Sequence, residues 1–98
     1  MEEQKSKNDN VIFIGTKPFM NYVTGTVMQF TTKDSEEVII KARGNFISRA
    51  VNVAEVVRKK FLKEKNLQIK DIKIDSEELE NKDGKKMNVS TIEITLKK

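Results

Sequence analysis

Two short apolar runs constrain the fold most, because each ends in a turn that contains glycine and is followed by a segment with helical spacing. The first run is Val11 to Ile14, before Gly15. The second, Val38 to Ile40, lies within residues 36–41 and precedes Gly44. Continuous apolar runs of this length are typical of strands buried on both faces. We therefore expect two central strands, each leading into a helix.

The single proline, Pro18, marks the start of the first helix. Proline suits the first turn because its missing N–H would have no partner there, and we expect Thr16 or Lys17 as the cap. Apolar residues then recur at helical spacing. They are Phe19, Val23, Val27 and Phe30, and the segment 31–34 ends the helix.

The second helix is predicted to start at an Asn45 cap and to carry an apolar arc covering about half of its circumference. Its members are Phe46, Ile47, Ala50, Val51, Val53, Ala54, Val57, Phe61 and Leu62. A helix lying on a sheet needs a stripe of only about 100°. We interpret the surplus as a contact with a second subunit through Phe61 or Leu62, and through Val56 on the polar side. The alternative is an uneven core within one monomer.

The remaining residues predict a long, twisted β-hairpin with a mobile polar tip. Its arms are residues 67–74 and 89–96, and residues 81–84 supply the turn. The alternation of apolar residues changes phase on each arm, which predicts a bulge on each. Ile74 must lie opposite Ile92 or Ile94 on the buried face, so the loop should be odd in length or carry a bulge. The fold class is thus α/β (an α+β sandwich) in the order β-α-β-α-β-β, with a disordered tail at 1–10 and one domain at 11–98.

Composition argues against catalysis. The 98 residues include no His and no Cys, which removes the usual general base, the thiol nucleophile and most transition-metal sites. Acidic residues at the hairpin tip alternate with lysines, so we interpret them as a solvated loop and not as an acid–base pair. They are Glu77, Glu78, Glu80 and Asp83. We predict a non-enzymatic protein without metal or cofactor, and the polar N-terminus indicates a soluble protein of the cell interior.

The basic residues are more informative, because they gather at three places. The chain carries 19 Lys and Arg against 15 Asp and Glu, for a formal charge of +4. Lys17 precedes the first helix, Arg43 and Asn45 precede the second, and Lys82, Lys85 and Lys86 occupy the hairpin tip. Strand-to-helix corners converge on one edge of an open sheet, and helix N-termini favour phosphate. These groups predict a phosphate-binding surface, the alternative being a merely solvated one.

Three segments resemble the archaeal chromatin protein family Alba. They read GTKPFMNYV at 15–23, IIKARGNFISRAV at 39–51 and VSTIEI at 89–94. The resemblance implies a fold like the C-terminal domain of translation initiation factor 3 and a homodimer without membrane attachment. It also implies that the protein binds double-stranded DNA and RNA with little sequence preference. By this binding, the protein would coat and compact chromosomal DNA in the cytoplasm.

The resemblance also assigns roles to residues. Phosphate contact falls to Lys17, Arg43 and Asn45, and arm contact to Lys82, Lys85 and Lys86. Asn21 and Arg49 are also expected to bind nucleic acid. Phe61 resembles the family's aromatic at a contact between dimers. One departure is Thr16, which stands where many members carry a modified lysine. The acidic arm favours two alternatives: an RNA-binding subunit or chaperone, or a regulator of selected DNA sites. A protein-interaction module whose charge serves solubility is the third.

Overall fold

A computed structural model describes residues 10–98. Most of the predicted tail therefore lies outside the described residues. The chain forms strand β1 (Val11–Phe13), helix α1 (Phe19–Thr31), strand β2 (Glu37–Arg43), helix α2 (Ile47–Val56), strand β3 (Gln68–Glu80) and strand β4 (Lys86–Lys97). This is the predicted mixed fold in the order β-α-β-α-β-β.

The four strands form one sheet in the order β1-β2-β4-β3, with β1 and β2 parallel and the other pairs antiparallel. Alternate residues of the two inner strands face the helices and form the core with them. From β2 these are Val38, Ile40 and Ala42, and from β4 they are Ile92, Ile94 and Leu96. Both helices lie on the side of this apolar set, so the opposite face of the sheet is open within residues 10–98.

Strand β1 differs from its prediction as a central strand buried on both faces. It lies at the edge of the sheet, where Phe13 is 69% exposed. The returning strand β4 takes the second inner place beside β2, which leaves β1 with one partner. Asn10, assigned to the tail, is already tied to β2: its carbonyl accepts from the Ile39 amide at 2.9 Å and its side chain donates to the Glu37 carbonyl at 3.1 Å.

Helix α1 begins at Phe19, so Pro18 stands at the N-cap position and the predicted cap at Thr16 or Lys17 is wrong. The predicted Asn45 cap of the second helix is wrong as well. The chain passes from β2 into a short 3₁₀ turn over Gly44–Phe46, and no side chain caps it. Gly44 has φ of +60°, a left-handed conformation that glycine adopts without strain. This turn reverses the chain into α2, so Asn45 lies within it with an exposed side chain.

The assignment of Leu62 to a subunit contact is also wrong. Leu62 is 3% exposed and belongs to the core of the single chain, whereas Phe61 is 48% exposed. The physical reason is a π-helical segment over Val57–Phe61 at the end of α2. Such a segment inserts a residue relative to an α-helix and rotates the residues after it, so a regular helical wheel misplaces Leu62. Val56 is half-buried and packs against the core.

The hairpin has the predicted register. Ile74 lies opposite Ile92 and Ile72 opposite Ile94, and the ladder shifts between Ile69 and Asp71, which is the predicted bulge on the first arm. Residues 81–85 form a loop of odd length between Glu80 and Lys86. The bulge predicted on the second arm is wrong, since the ladder continues there without a shift. Val89 instead faces the other side of the hairpin from Ile92.

Candidate nucleic-acid interface

The topology brings the three basic groups to one end of the molecule. Strands β1 and β2 are parallel, so the loop with Lys17 and the turn after Arg43 leave the sheet at the same end, where both strands finish. Arg43 pairs with Thr91, and β4 starts at Lys86, so the hairpin continues past the end of β2. At about 3.4 Å per residue, that extension is about 17 Å long. The tip therefore projects beyond the end of the sheet that carries Lys17 and Arg43.

The loop that carries Lys17 is held first by Tyr22 of α1. The Tyr22 hydroxyl accepts hydrogen bonds from the backbone amides of Gly15 and Lys17, each at 3.0 Å. These amides are therefore engaged within the loop and do not point outward. Lys17 offers its exposed side chain instead, just before the N-terminus of α1, where the helix dipole favours an anion.

Arg49 of α2 holds the same loop from the other side. Its Nη1 atom donates to the carbonyl of Gly15 at 3.1 Å and to the carbonyl of Lys17 at 2.6 Å. The guanidinium also lies over two aromatic rings, 5.7 Å from the centroid of Tyr22 and 6.0 Å from that of Phe19. Arg49 is thus a positioning residue for Lys17. Its direct contact with nucleic acid stays a prediction.

Sequence reasoning missed Tyr22 and assigned Arg49 only an outward contact. Bonds from side chains to backbone atoms leave no repeating pattern in a sequence, and Arg49 lies 32 positions from Lys17. The available signal was the composition of the first loop. A glycine two positions before a lysine, followed by an aromatic with a hydroxyl on the first helical turns, places a hydroxyl within reach of free loop amides.

Arg43 stands at the root of the hairpin and is already paired. Its Nη1 atom lies 2.8 Å from Oε1 of Glu77 on β3, and both side chains are more than half exposed. An exposed pair of this kind is worth about 0–1 kcal/mol, so a phosphate can compete for the guanidinium. Asn45 and Asn21 are both exposed, on the 3₁₀ turn and on α1.

The hairpin tip presents lysines and acids together. Lys82, Lys85 and Lys86 are all exposed, as are Glu78, Glu80 and Asp83. The loop is closed by Asn81, whose Oδ1 atom accepts from the amides of Asp83 at 3.0 Å and Lys85 at 2.9 Å. The turn at the tip is therefore closed by its own hydrogen bonds and joins the ladder between β3 and β4.

Two general features of residues 10–98 bear on other kinds of site. No group of three or more His, Cys, Asp or Glu side chains in this range is placed to hold a metal ion. No helix in this range has the length and apolar character needed to cross a membrane.

The chain is similar to proteins of one known family. The Alba family model matches residues 10–76, which include the Lys17 loop and both helices. The chain belongs to the Alba family. It is 56% identical over 90 residues to the DNA/RNA-binding protein Alba of Methanocella arvoryzae, covering 92% of this chain and 91% of that one. It is 48% identical over 88 residues to that of Methanococcus maripaludis, covering 90% and 97%.

The fold is that of a solved Alba structure. Alba from Thermoplasma volcanium superposes with a TM-score of 0.82 at 47% identity, over 91% of this chain and 100% of that one. The resemblance on residues 15–23, 39–51 and 89–94 is thereby confirmed as family membership. The predicted fold class is confirmed as well.

Proposed function

We propose that this Alba-family chain binds double-stranded DNA and RNA through their phosphate backbones, with little dependence on sequence. The observation that carries the proposal is the Lys17 loop, which Tyr22 and Arg49 fix from two sides so that a cation stands before the N-terminus of α1. Phosphate is the anion that such a site suits. Relatives that share about half of the sequence are named DNA/RNA-binding proteins.

The arrangement of charge explains the lack of sequence preference. The proposed contacts are lysine and arginine side chains at strand ends and on an extended arm, and contacts of such side chains with phosphate oxygens carry no sequence information. Lys17 and Arg43 would contact the backbone centrally. Lys82, Lys85 and Lys86 would follow it outward on the hairpin.

We propose further that the protein acts as a homodimer. Strand β3 leaves apolar side chains uncovered on the helix side of the sheet, beside the buried Ile92 and Ile94. Ile72 is 53% exposed and Ile74 is 79% exposed, and Phe61 at the end of α2 is 48% exposed. Exposed apolar side chains of this kind, with Ile72 and Ile74 adjacent on one face of β3, mark a contact between proteins. A second copy would cover it and would double both the central cations and the arms.

The dimer is tested by sedimentation at micromolar concentration, with an Ile74→Glu variant beside the parent protein. The expected result is a species of twice 11.3 kDa for the parent and of 11.3 kDa for the variant. A parent protein that sediments only at the monomer mass would contradict the dimer. Leu79→Glu is a matched control, since Leu79 lies on the other face of the hairpin and is 38% exposed.

In the cell, this binding mode supports a role in coating and compacting chromosomal DNA, and hence a chromosome-associated location. In a second candidate function, the same fold acts as an RNA-binding subunit or chaperone. The pairing of Arg43 with Glu77 favours it, because acids on the arm weaken attachment to long stretches of duplex.

A competition titration separates these candidates. The protein is titrated with a duplex DNA and a structured RNA of equal length, at about 50 and 200 mM salt. Neutralising roughly 6 to 10 phosphates lowers affinity by about 10³- to 10⁵-fold over that range. Comparable or tighter DNA binding supports the chromosomal role, and a clear RNA preference supports the RNA role. A flat salt profile would falsify the proposed function.

A further inference from the structure

The outer part of the hairpin has one polar and one apolar face. Beyond the end of β2, alternate positions of β3 and β4 share a face of the ladder. The first face is polar throughout: Ser76, Glu78, Glu80, Lys86, Asn88 and Ser90. On the second face Leu79 lies opposite Met87, and Val89 lies two residues closer to the sheet, opposite Glu77. We call Leu79, Met87 and Val89 the apolar arm face.

Within residues 10–98, the apolar arm face is covered only at its root. Val89 is half-buried, and a Cβ atom on Gly44 would stand 3.6 Å from its Cγ1 atom. Further out, Leu79 is 38% exposed and Met87 is 50% exposed. The dimer proposed above covers the side of Ile72 and Ile74, which is the opposite face of the hairpin. Leu79 and Met87 therefore stay accessible to a partner in the dimer as well.

Positive charge flanks the apolar arm face at both ends. Arg43 lies over its root, since the Nη1 atom reaches Oε1 of Glu77 at 2.8 Å. Lys82 and Lys85 are exposed in the loop at the tip, and the other acids of the outer ladder lie on the polar face. A partner that lies along the apolar arm face must therefore combine an apolar surface with anions beside it. A nucleic-acid duplex has this chemistry, because sugar rings alternate with phosphates along each strand.

DNA and RNA present different sugar surfaces to such a face. The C2′ atom of deoxyribose carries only hydrogen, so the sugar walls of the DNA minor groove are apolar at that position. The minor groove of an RNA helix instead displays 2′-hydroxyl groups. A hydroxyl buried without a hydrogen-bond partner is unfavourable, and Leu79 offers no partner while the Met87 thioether is only a weak acceptor. The apolar arm face therefore suits DNA and disfavours RNA.

We propose that Leu79 and Met87 pack against the deoxyribose rings of duplex DNA and make the arm selective for DNA over RNA. The inference rests on the proposed function and deepens it, because it assigns the choice between the two ligands to the outer hairpin. Lys17 and Arg43 contact phosphates, which both duplexes share, so the central surface binds either one. The apolar contact of the arm is made on DNA and is lost on RNA.

The test compares a DNA duplex with an RNA duplex of the same length and sequence, with U in place of T. The arm variant carries Leu79→Thr and Met87→Gln, which suit a strand or keep the side-chain length but remove the apolar contact. Its affinity for DNA should fall by about three- to tenfold, the equivalent of burying the exposed half of one such side chain, while its affinity for RNA stays unchanged. The slope of DNA affinity against salt should also stay unchanged, because no phosphate contact is lost.

Met28→Gln is the matched control. Met28 is 49% exposed, close to the value for Met87, but it lies on α1 beside β1, at the opposite edge of the sheet from β3. This substitution should alter the affinity for neither duplex. Unchanged RNA binding by the arm variant shows in the same experiment that the variant is folded.

The outcomes separate the inference from the proposed function. Equal losses on DNA and RNA, or no loss on either, would overturn the selectivity of the arm while duplex binding stands. A change of the sedimented mass in the arm variant would assign the apolar arm face to a second copy of the chain, and would overturn the inference too. Failure of the parent protein to bind either duplex at low salt would refute the proposed function itself.

Discussion

The first loop and the hairpin tip both present lysines, but the backbone that carries these lysines is held differently in the two places. At the loop, Tyr22 binds two amides and Arg49 two carbonyls, so Lys17 stands on a backbone fixed from both helices. At the tip, Lys82 and Lys85 lie in a turn held by Asn81, about 17 Å beyond the end of β2. The family match includes the loop and ends at residue 76, before the tip.

This contrast indicates a division of labour. A cation on a fixed backbone loses little entropy when it meets a phosphate, so the loop should supply most of the affinity. A cation on a long arm loses more, and here acids stand beside it, so the tip should supply reach and little affinity. Four variants test this division, from the largest expected effect to the smallest.

The largest effect is expected from Lys17→Glu. A hydrogen bond to a charged group is worth about 1.5–3 kcal/mol, so duplex affinity should fall by at least about 10- to 150-fold, with repulsion adding to the loss. Fluorescence anisotropy with a labelled duplex measures it. Lys63→Glu makes the same charge change on an exposed lysine after α2 and should cost far less. Equal losses would mean that the protein responds to net charge alone.

Tyr22→Phe tests the fixed backbone without changing any charge. Two amides lose their acceptor, so the free energy of unfolding should fall by about 1–3 kcal/mol in a denaturant titration. Duplex affinity should fall several-fold, because the loop is no longer held. The slope of affinity against salt should stay the same, since no phosphate contact is lost. An unchanged affinity would show that the position of the loop does not matter.

Replacing the tip lysines tests the arm. Lys82→Ala with Lys85→Ala should reduce affinity less than Lys17→Glu does. The salt slope should drop by about 0.9 for each phosphate contact removed. Salt titrations of the double variant and of its parent supply both quantities. A loss larger than that at Lys17 would reverse the comparison and make the arm the main anchor.

The smallest expected effect is a gain in affinity for duplex DNA. Glu77→Gln releases Arg43 from its exposed ion pair, so duplex affinity should rise by about 1.4- to fivefold. Glu78→Gln removes the same charge from the other face of the hairpin and controls for net charge. Equal gains in the two variants would mean that the pair at Arg43 does not restrain binding.

Sequence patterns predicted the elements that depend on residues close together in the chain. Pro18 and the apolar spacing after it placed α1, and the need to bring Ile74 opposite Ile92 predicted the register and the odd loop. The predictions that failed depended on non-local or irregular structure. Strand order put β1 at an edge, and the π-helical segment before Leu62 broke the helical period.

The candidate site was predictable only in part. Its basic residues were visible as clusters, and parallel strand ends explained why two of them converge. The contacts of Tyr22 and Arg49 with the loop were not visible, because a side chain that binds a distant backbone atom leaves no periodic trace. The exposed isoleucines of β3 were assigned to a buried face, since the alternation of a strand does not say how far the helices extend over it.

The central claim is that the fixed Lys17 loop is the main phosphate contact and the hairpin tip a second, weaker one. Backbone amide shifts of the isotopically labelled protein, followed by NMR during titration with a duplex DNA, test it most directly. We predict that the largest shifts occur over residues 15–22 and 43–49, with smaller shifts over 81–86 that saturate at the same ratio. Shifts confined to the basic segment 58–65, with the loop unchanged, would contradict the claim.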